Sequence, residues 1–291
     1  MAVNIDLMSP NMTIGAFKKT IWAHYRRAGR ANLPWRHARD FYAIFVSEIM
    51  LQQTQVSRVE KYYEKFIKRF PSFRALARAR QSDVLKAWQG LGYNRRAIFL
   101  KRAAEIVVAR HGGHLPRERA ALEALPGVGK GTSGSLMAFA FNKPEVFIET
   151  NIRRVFIHFF FSKRRKVTDA ELERYIERSL DRKNPREWYW ALMDYGAAMS
   201  AAGAAMRAAV ARANPNRRSA HYKKQLPFVG SDREIRGKII RSTLSQKRNK
   251  MSAKELLREL AVPRERFIDI IEGLAKDGFI VKIGDSICIK K

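Results

Sequence analysis

The chain has 291 residues, with 57 Lys and Arg against 27 Asp and Glu, a formal net charge of +30 and a pI of about 10.7. That length leaves room for one large domain or two to three modest ones with true cores, and the basic residues, interleaved with Trp, Tyr and Phe, fit a surface that neutralises phosphates. No stretch reads as a membrane-insertion helix or a signal peptide, so the composition points to a soluble, cytoplasmic and nucleoid-associated protein rather than one bound to an anionic membrane.

The first dozen residues carry no helical pattern and are expected to fray; Ile14 to Tyr25 predicts an opening helix. Leu33-Pro-Trp-Arg36 interrupts it as an extended or turn segment, because proline restricts its neighbours. Phe41 to Gln53 places Ile44, Phe45, Ile49 and Leu51 at helical spacing, and Val56 to Arg69 continues in the same style. Ser72 to Ala79 and Asp83 to Trp88 predict short helices, and Arg95 to His111 a longer amphipathic one ended by Gly112 and Gly113. Glu118 to Leu125 leads into Leu125-Pro-Gly-Val-Gly-Lys-Gly-Thr132, a turn where glycines let backbone approach a ligand and where a following helix start makes an anion site. A helix–turn–helix corner that only packs is the alternative. Thr132 to Phe141, Val155 to Phe161, Asp169 to Leu180 and Arg186 to Ala198 predict further helices, and the alanine-rich Ala197 to Ala213 another.

Almost nothing alternates with period two before residue 278, so this part is expected to be all-α. Residues 214–230 contain two prolines and many basic residues without a clear period, and read as a basic linker. Asp232 to Leu244, Ser252 to Leu260 and Arg264 to Asp277 predict three short helices, the middle one opened by Ser252 with Glu255 at capping-box spacing. Residues 279–289 predict a hairpin turning at Gly284 and Asp285. Three helices and a hairpin are the plan of a winged-helix domain over residues 231–291, a plan used for DNA and for protein contacts alike.

Several runs resemble a known family. Pro34-Trp35-Arg36, the run from Val46 to Val56 (Val-Ser-Glu-Ile-Met-Leu-Gln-Gln-Thr-Gln-Val), and Trp88-Gln-Gly-Leu-Gly-Tyr93 are similar to adenine DNA glycosylases of the MutY type. So are His111-Gly-Gly113, Leu125-Pro-Gly-Val-Gly129 and Met193-Asp-Tyr-Gly-Ala197, in the same order and spacing over roughly residues 30 to 200. The family belongs to the helix-hairpin-helix superfamily that also holds endonuclease III. The resemblance implies an all-α, two-lobed fold across residues 1–213, with N- and C-terminal segments sharing one lobe, followed by the linker and the winged-helix domain.

It also implies chemistry. Excising a purine needs protonation of a poor leaving group and a carboxylate to stabilise the oxocarbenium ion that develops. Glu48 matches the family's acid; from its apolar neighbours alone it reads as a surface glutamate. Glu149-Thr150-Asn151 stands where the family has aspartate-glycine-asparagine, so Glu149 is expected either as the second carboxylate or as a cap of the next helix, with Asn151 as a hydrogen-bond partner. Gly131 occupies the position of the lysine nucleophile in bifunctional relatives, which disfavours Schiff-base lyase chemistry. Base extrusion would use Gln52 and Tyr93, with a helix cap and a core tyrosine as their plain alternatives. Further DNA contacts are expected from Gln53, Arg95, Leu125, Gly127, Val128, Gly129 and Lys130.

Two family features have no counterpart in these residues. Ser200 stands where the first cysteine of a four-cysteine [4Fe–4S] loop would be, and Cys288 is the sole cysteine, so no iron–sulfur cluster and no metal cofactor is expected beyond a monovalent cation at the hairpin. The stretch after residue 230 is too short for the family's Nudix-like domain that reads 8-oxoguanine. The expected protein is a monomeric, monofunctional DNA glycosylase acting on double-stranded DNA with adenine mispaired with guanine or 8-oxoguanine. A thymine or uracil mismatch glycosylase and a non-catalytic, damage- or structure-recognising DNA-binding protein are the alternatives.

Overall fold

The computed structural model describes residues 12–205, 214–224 and 227–290, and for 201–205 the backbone only. Among the described residues the α-helices that come first are α1 (Ile14–Ala28), α2 (Phe41–Leu51), α3 (Val56–Arg69), α4 (Phe73–Arg78), α5 (Gln81–Trp88), α6 (Arg95–His111), α7 (Arg119–Glu123), α8 (Lys130–Phe139), α9 (Thr150–Phe160), α10 (Asp169–Ser179) and α11 (Pro185–Ala205). A C-terminal module follows, made of α12 (Asp232–Ser245), β1 (Lys250–Ser252), α13 (Ala253–Leu260), α14 (Arg264–Lys276), β2 (Ile280–Ile283) and β3 (Ser286–Ile289). The expected fraying of the first dozen residues, and the part of the alanine-rich helix from 206 to 213, lie outside the described residues.

The chain forms two compact units. The first draws on residues up to Arg36 and on Gly129–Lys224; the second on His37–Val128 and the C-terminal residues. In the first unit α1 lies against α9 and α11 around Phe17, whose ring sits 5.1 Å from Phe156, 5.2 Å from Phe159 and 5.9 Å from Trp188. Such tilted and edge-on ring pairs add to the hydrophobic gain of burial. Proline and arginine at 34 and 36 form a single 3₁₀ turn, and the carboxylate of Asp194 on α11 ties this N-terminal arm down.

Residues 214–224, expected as linker, are built structure in the same unit. Pro215–Arg218 makes a 3₁₀ turn, Pro215 and Asn216 are buried, and Ser219 bridges Val167 in parallel. Arg218 donates to the carbonyl of Phe161, and Asn216 Nδ2 to that of Thr150. A stretch without hydrophobic period gains its order here by closing the ends of α9 with polar groups.

In the second unit α2 to α6 enclose Phe45, Phe66, Phe73 and Trp88, all buried. The C-terminal module has its own core of Ile239, Leu256, Ile271, Leu274 and Ile287. Its capping box at Ser252 and Glu255 is present, and β2 and β3 form the expected hairpin. The sheet gains a third strand, β1, which pairs antiparallel with β3 so that Met251 faces Ile287, in the order β1-β3-β2. Three residues are too few to show a period of two, which is why the sequence did not announce this strand.

Candidate active site

Helix α2 is apolar all round: from Tyr42 to Met50 every residue is buried except Glu48. Glu48 is therefore a half-buried carboxyl among fully buried neighbours, mounted on a helix. Gln52 ends α2, and its Nε2 donates to the carbonyl of Gly127 at 3.0 Å. Gln53 is exposed and takes a left-handed φ of 52°.

Arg96 organises this end of the helix, and sequence reasoning missed it. Its Nη1 donates to the carbonyls of Ile49, Met50 and Gln52 at 3.0, 2.7 and 2.6 Å. Its Nη2 reaches Thr54 Oγ1 and the carbonyl of Gly92 at 2.9 and 3.0 Å. A cation at a helix C-terminus satisfies orphan carbonyls and complements the dipole. Burial pulls the guanidinium down to about 10, which leaves it charged at neutral pH. One signal was available: Arg96 shares a helical stripe with Leu100, Ala103 and Val107, all buried. By bonding both α2 and the 91–92 backbone, Arg96 sets Tyr93, which is 36 % exposed with a φ of 47° and is therefore not a core tyrosine.

Leu125 and Val128 are buried, so only their backbone is available to a ligand. Gly127 has a φ of 80°, and a Cβ there would stand 3.0 Å from Phe99 Cβ, so glycine is required by both conformation and space. Arg95, expected at DNA, is ion-paired with Asp277 of the C-terminal module.

In the first unit Gly129 is the N-cap of α8 and provides no side-chain cap, and Lys130 is exposed at the helix start. Gly131 is not sterically demanded: a Cβ would meet only the Ile148 carbonyl, at 3.4 Å.

Glu149 is the N-cap of α9, the plainer of its two expected roles. Its Oε1 accepts from the backbone N–H of Asn151 at 2.7 Å and of Ile152 at 2.8 Å, which leaves Oε2 with a 3.3 Å contact from Asn151 Nδ2. Capping and chemistry do not compete, because the cap uses one oxygen and fixes where the other points. Burial raises the carboxyl above the usual glutamate range against the opposing pull of the two amides and Arg154. Arg154 Nη1 donates to Asn151 Oδ1 at 2.7 Å and to the Gly196 carbonyl at 2.6 Å. That bond settles the orientation of the Asn151 amide and turns its N–H toward Glu149. Gly196 has no room for more: a Cβ would lie 2.6 Å from the Asn151 carbonyl oxygen. Nothing in its sequence context sets Arg154 apart from the many other arginines.

Asp194, 3 % exposed, receives Arg36 through two bonds of 2.8 Å, along with the backbone N–H and Nε of Arg30 at 2.9 and 2.7 Å. Burial opposes its charge, but Arg36 and then Arg30 outweigh burial and hold the carboxyl below the usual range. The Pro-Trp-Arg and Met-Asp-Tyr-Gly-Ala motifs, far apart in sequence, are thus two halves of one buried ion cluster.

Residues 46–181 match the family described as HhH-GPD superfamily base excision DNA repair protein. The chain is also 34% identical over 197 residues to the thymine/uracil-DNA glycosylase of Pyrobaculum aerophilum, covering 65% of this chain and 85% of that protein. The chain belongs to the HhH-GPD superfamily. As a superfamily member it is 37% identical over 190 residues to the adenine DNA glycosylase of Buchnera aphidicola subsp. Baizongia pistaciae, over 64% of this chain and 53% of that one. It spans about half the length of the adenine DNA glycosylases it matches first. A solved thermostable thymine-DNA glycosylase superposes with a TM-score of 0.58 at 31% identity, covering 63% of this chain and 86% of that one. The MutY-type resemblance read from the motifs is therefore matched by named adenine relatives, and thymine/uracil relatives of the same superfamily stand beside them. Among the described residues no helix is long and apolar enough to cross a membrane.

Proposed function

We propose that this superfamily member is a monofunctional DNA glycosylase that hydrolyses the N-glycosidic bond of adenine mispaired with guanine or 8-oxoguanine in double-stranded DNA. The observation that carries the reading is Glu48, the one residue between Tyr42 and Met50 of α2 that is not fully buried, inside the run most specific to MutY-type enzymes. Glu48 donates a proton to the departing base. Glu149, with Asn151 on its second oxygen, supplies the negative charge that stabilises the oxocarbenium ion, and water adds to the sugar carbon while its proton passes to a carboxylate. Gly131 supplies no amine, so the product is an abasic site with an intact strand. Gln52 and Tyr93 enter the stack as the base is extruded, and the backbone around Gly127 and Gly129, with Lys130, holds phosphate. With one cysteine the chain cannot supply four thiolates to an iron–sulfur cluster, and this hydrolysis calls on no cofactor. A monovalent cation at the hairpin remains part of the proposal, and no step depends on one; the Gly127 carbonyl accepts from Gln52 and the Leu125 carbonyl from the Val128 amide.

One observation favours a second reading, a thymine or uracil mismatch glycosylase: the chain covers 85% of the Pyrobaculum thymine/uracil enzyme but 53% of the Buchnera adenine enzyme. Labelled duplexes carrying A opposite 8-oxoguanine, A opposite G, T opposite G and U opposite G, incubated with the protein and then treated with alkali, separate the two. Cutting of the A duplexes is the expected result. Cutting of only the T or U duplexes selects the second reading, and binding without any alkali-labile site leaves a non-catalytic DNA-binding protein. Strand breaks before alkali would contradict the monofunctional assignment.

A further inference from the structure

The C-terminal module is pinned to the helices of its own unit at one turn. Asp277, which closes α14, is ion-paired with Arg95 at the start of α6 and with Arg236 of α12. Beside it the buried Gln81 of α5 donates from Nε2 to the carbonyls of Gly278 and Phe279, at 2.9 and 3.4 Å. Phe279 is buried, and the Arg236 guanidinium lies 5.8 Å from its ring. A buried amide bond, a buried ring and a two-sided ion pair make this a built junction rather than a loose contact.

Helix α12 uses that junction. Arg233 Nη1 donates to the Tyr93 hydroxyl at 2.8 Å, and its guanidinium lies 5.7 Å from the Tyr93 ring centroid. Arg96 stands at the same 5.7 Å from that ring, so guanidinium groups from α6 and from the C-terminal module both attend it. Arg233 lies in the first turn of α12, where a positive charge opposes the helix dipole. Helix stability therefore does not account for an arginine at this place. Tyr93 itself is exposed on a left-handed backbone, in a turn fixed by Arg96 and by the Trp88 Nε1 bond to the Gly92 carbonyl at 3.1 Å. A rigidly mounted, exposed aromatic ring flanked by cations has the chemistry of a side chain that stacks between bases while phosphates pass beside it.

We propose that the C-terminal module acts on duplex DNA through Tyr93, with Arg233 as a positioning residue that holds the ring as an intercalating probe. The proposal rests on the DNA-directed reading above, and goes beyond it by giving the module a task within the strand-opening step. Without the module, Tyr93 keeps its turn but loses the guanidinium that fixes the hydroxyl end of the ring.

The test uses the full chain as wild type, Arg233→Ala, Tyr93→Phe and the double variant, on duplexes with 2-aminopurine beside the target base. Fluorescence reports unstacking, single-turnover base release reports chemistry, and thermal melting reports the fold. Arg233→Ala and Tyr93→Phe are each expected to reduce the fluorescence rise and to slow base release about tenfold. The double variant should be no slower than the slower single one, because both changes remove the same bond. Arg233→Lys, which keeps charge without the planar fork, should recover part of the loss, and it carries the test if the alanine variant melts early. Wild-type behaviour of Arg233→Ala, or effects that multiply in the double variant, would overturn the proposal and leave the glycosylase reading intact. A fluorescence rise with coupled losses but no base release would uphold the proposal while the glycosylase reading fails. A wild-type protein that neither unstacks nor releases a base would overturn both.

Discussion

Asp194 and Glu149 are carboxylates of one unit, the first buried and the second half-buried, and they are treated in opposite ways. Asp194 meets two arginines, one of them bidentate, and its pKa is lowered in spite of burial. Glu149 meets two backbone amides and an asparagine, with the Arg154 charge nearby and bonded to that asparagine, and its pKa is raised because burial wins. The first arrangement spends full charge compensation on holding an arm to a helix. The second leaves a carboxylate that is oriented but incompletely compensated, the state in which it can respond to a cation that forms beside it. Neutralising partners, rather than burial alone, decide which way each carboxyl shifts.

The largest effect that would break this contrast comes from Asp194→Asn. It leaves Arg36 buried without a counter-charge and with one of its two bonds to residue 194, and the expected loss is about 3–5 kcal/mol of unfolding free energy in urea titration. The folded-state pKa of Asp194 lies below its ordinary value of 3.8, so its contribution is present above that pH and lost as pH falls toward the folded value. The gap between wild type and Asp194→Asn should therefore close in acid below about pH 4. A loss under about 1 kcal/mol at neutral pH would mean the cluster is ordinary surface chemistry.

Glu149→Gln is expected to lower single-turnover base release by roughly a hundredfold to a thousandfold, since it removes the charge and keeps the cap. Its stability should move the other way. A carboxyl whose folded pKa is raised favours folding less and less as pH rises from its unfolded value through the folded one, so the wild type carries a cost at pH 7 that glutamine lacks. Thermal melting should show the variant equal to or above wild type at pH 7, with the advantage gone near pH 4. A variant that is less stable at pH 7 but active would make Glu149 a cap and nothing more.

Arg154→Met should give the smallest change. Arg154 lowers the Glu149 pKa and orients Asn151, so its loss should move the acid limb of the pH–rate profile to higher pH with a modest loss at the plateau. An acid limb that stays in place or moves to lower pH would detach Arg154 from Glu149.

Much of this molecule is written locally. The apolar spacing of Ile44, Phe45, Ile49 and Leu51 predicts a helix at α2, Ser252 with Glu255 predicts a helix start, and Gly112 takes the left-handed cap its position calls for. The motifs that carry the resemblance brought Glu48, Gln52 and Tyr93 forward, because family patterns mark residues that local physics leaves neutral. Glu149 was ambiguous in sequence, since a cap and a catalytic carboxylate require the same residue at the same helix start.

What the sequence by itself determined was where helices form, that the surface is basic, and which acidic residues stand at the family's positions; these follow from period, composition and motif. Tertiary structure alone decided which cations are used internally. Arg96 serves carbonyls, Arg36 and Arg30 serve Asp194, Arg154 serves Asn151, and Arg95 pairs with Asp277. It also decided that β1 joins β3, and that residues 214–224 close α9 instead of trailing between domains. A long side chain's partner is set by distances across the fold and by how much water has been removed around it, and neither quantity is present in the order of residues along a chain with so many arginines.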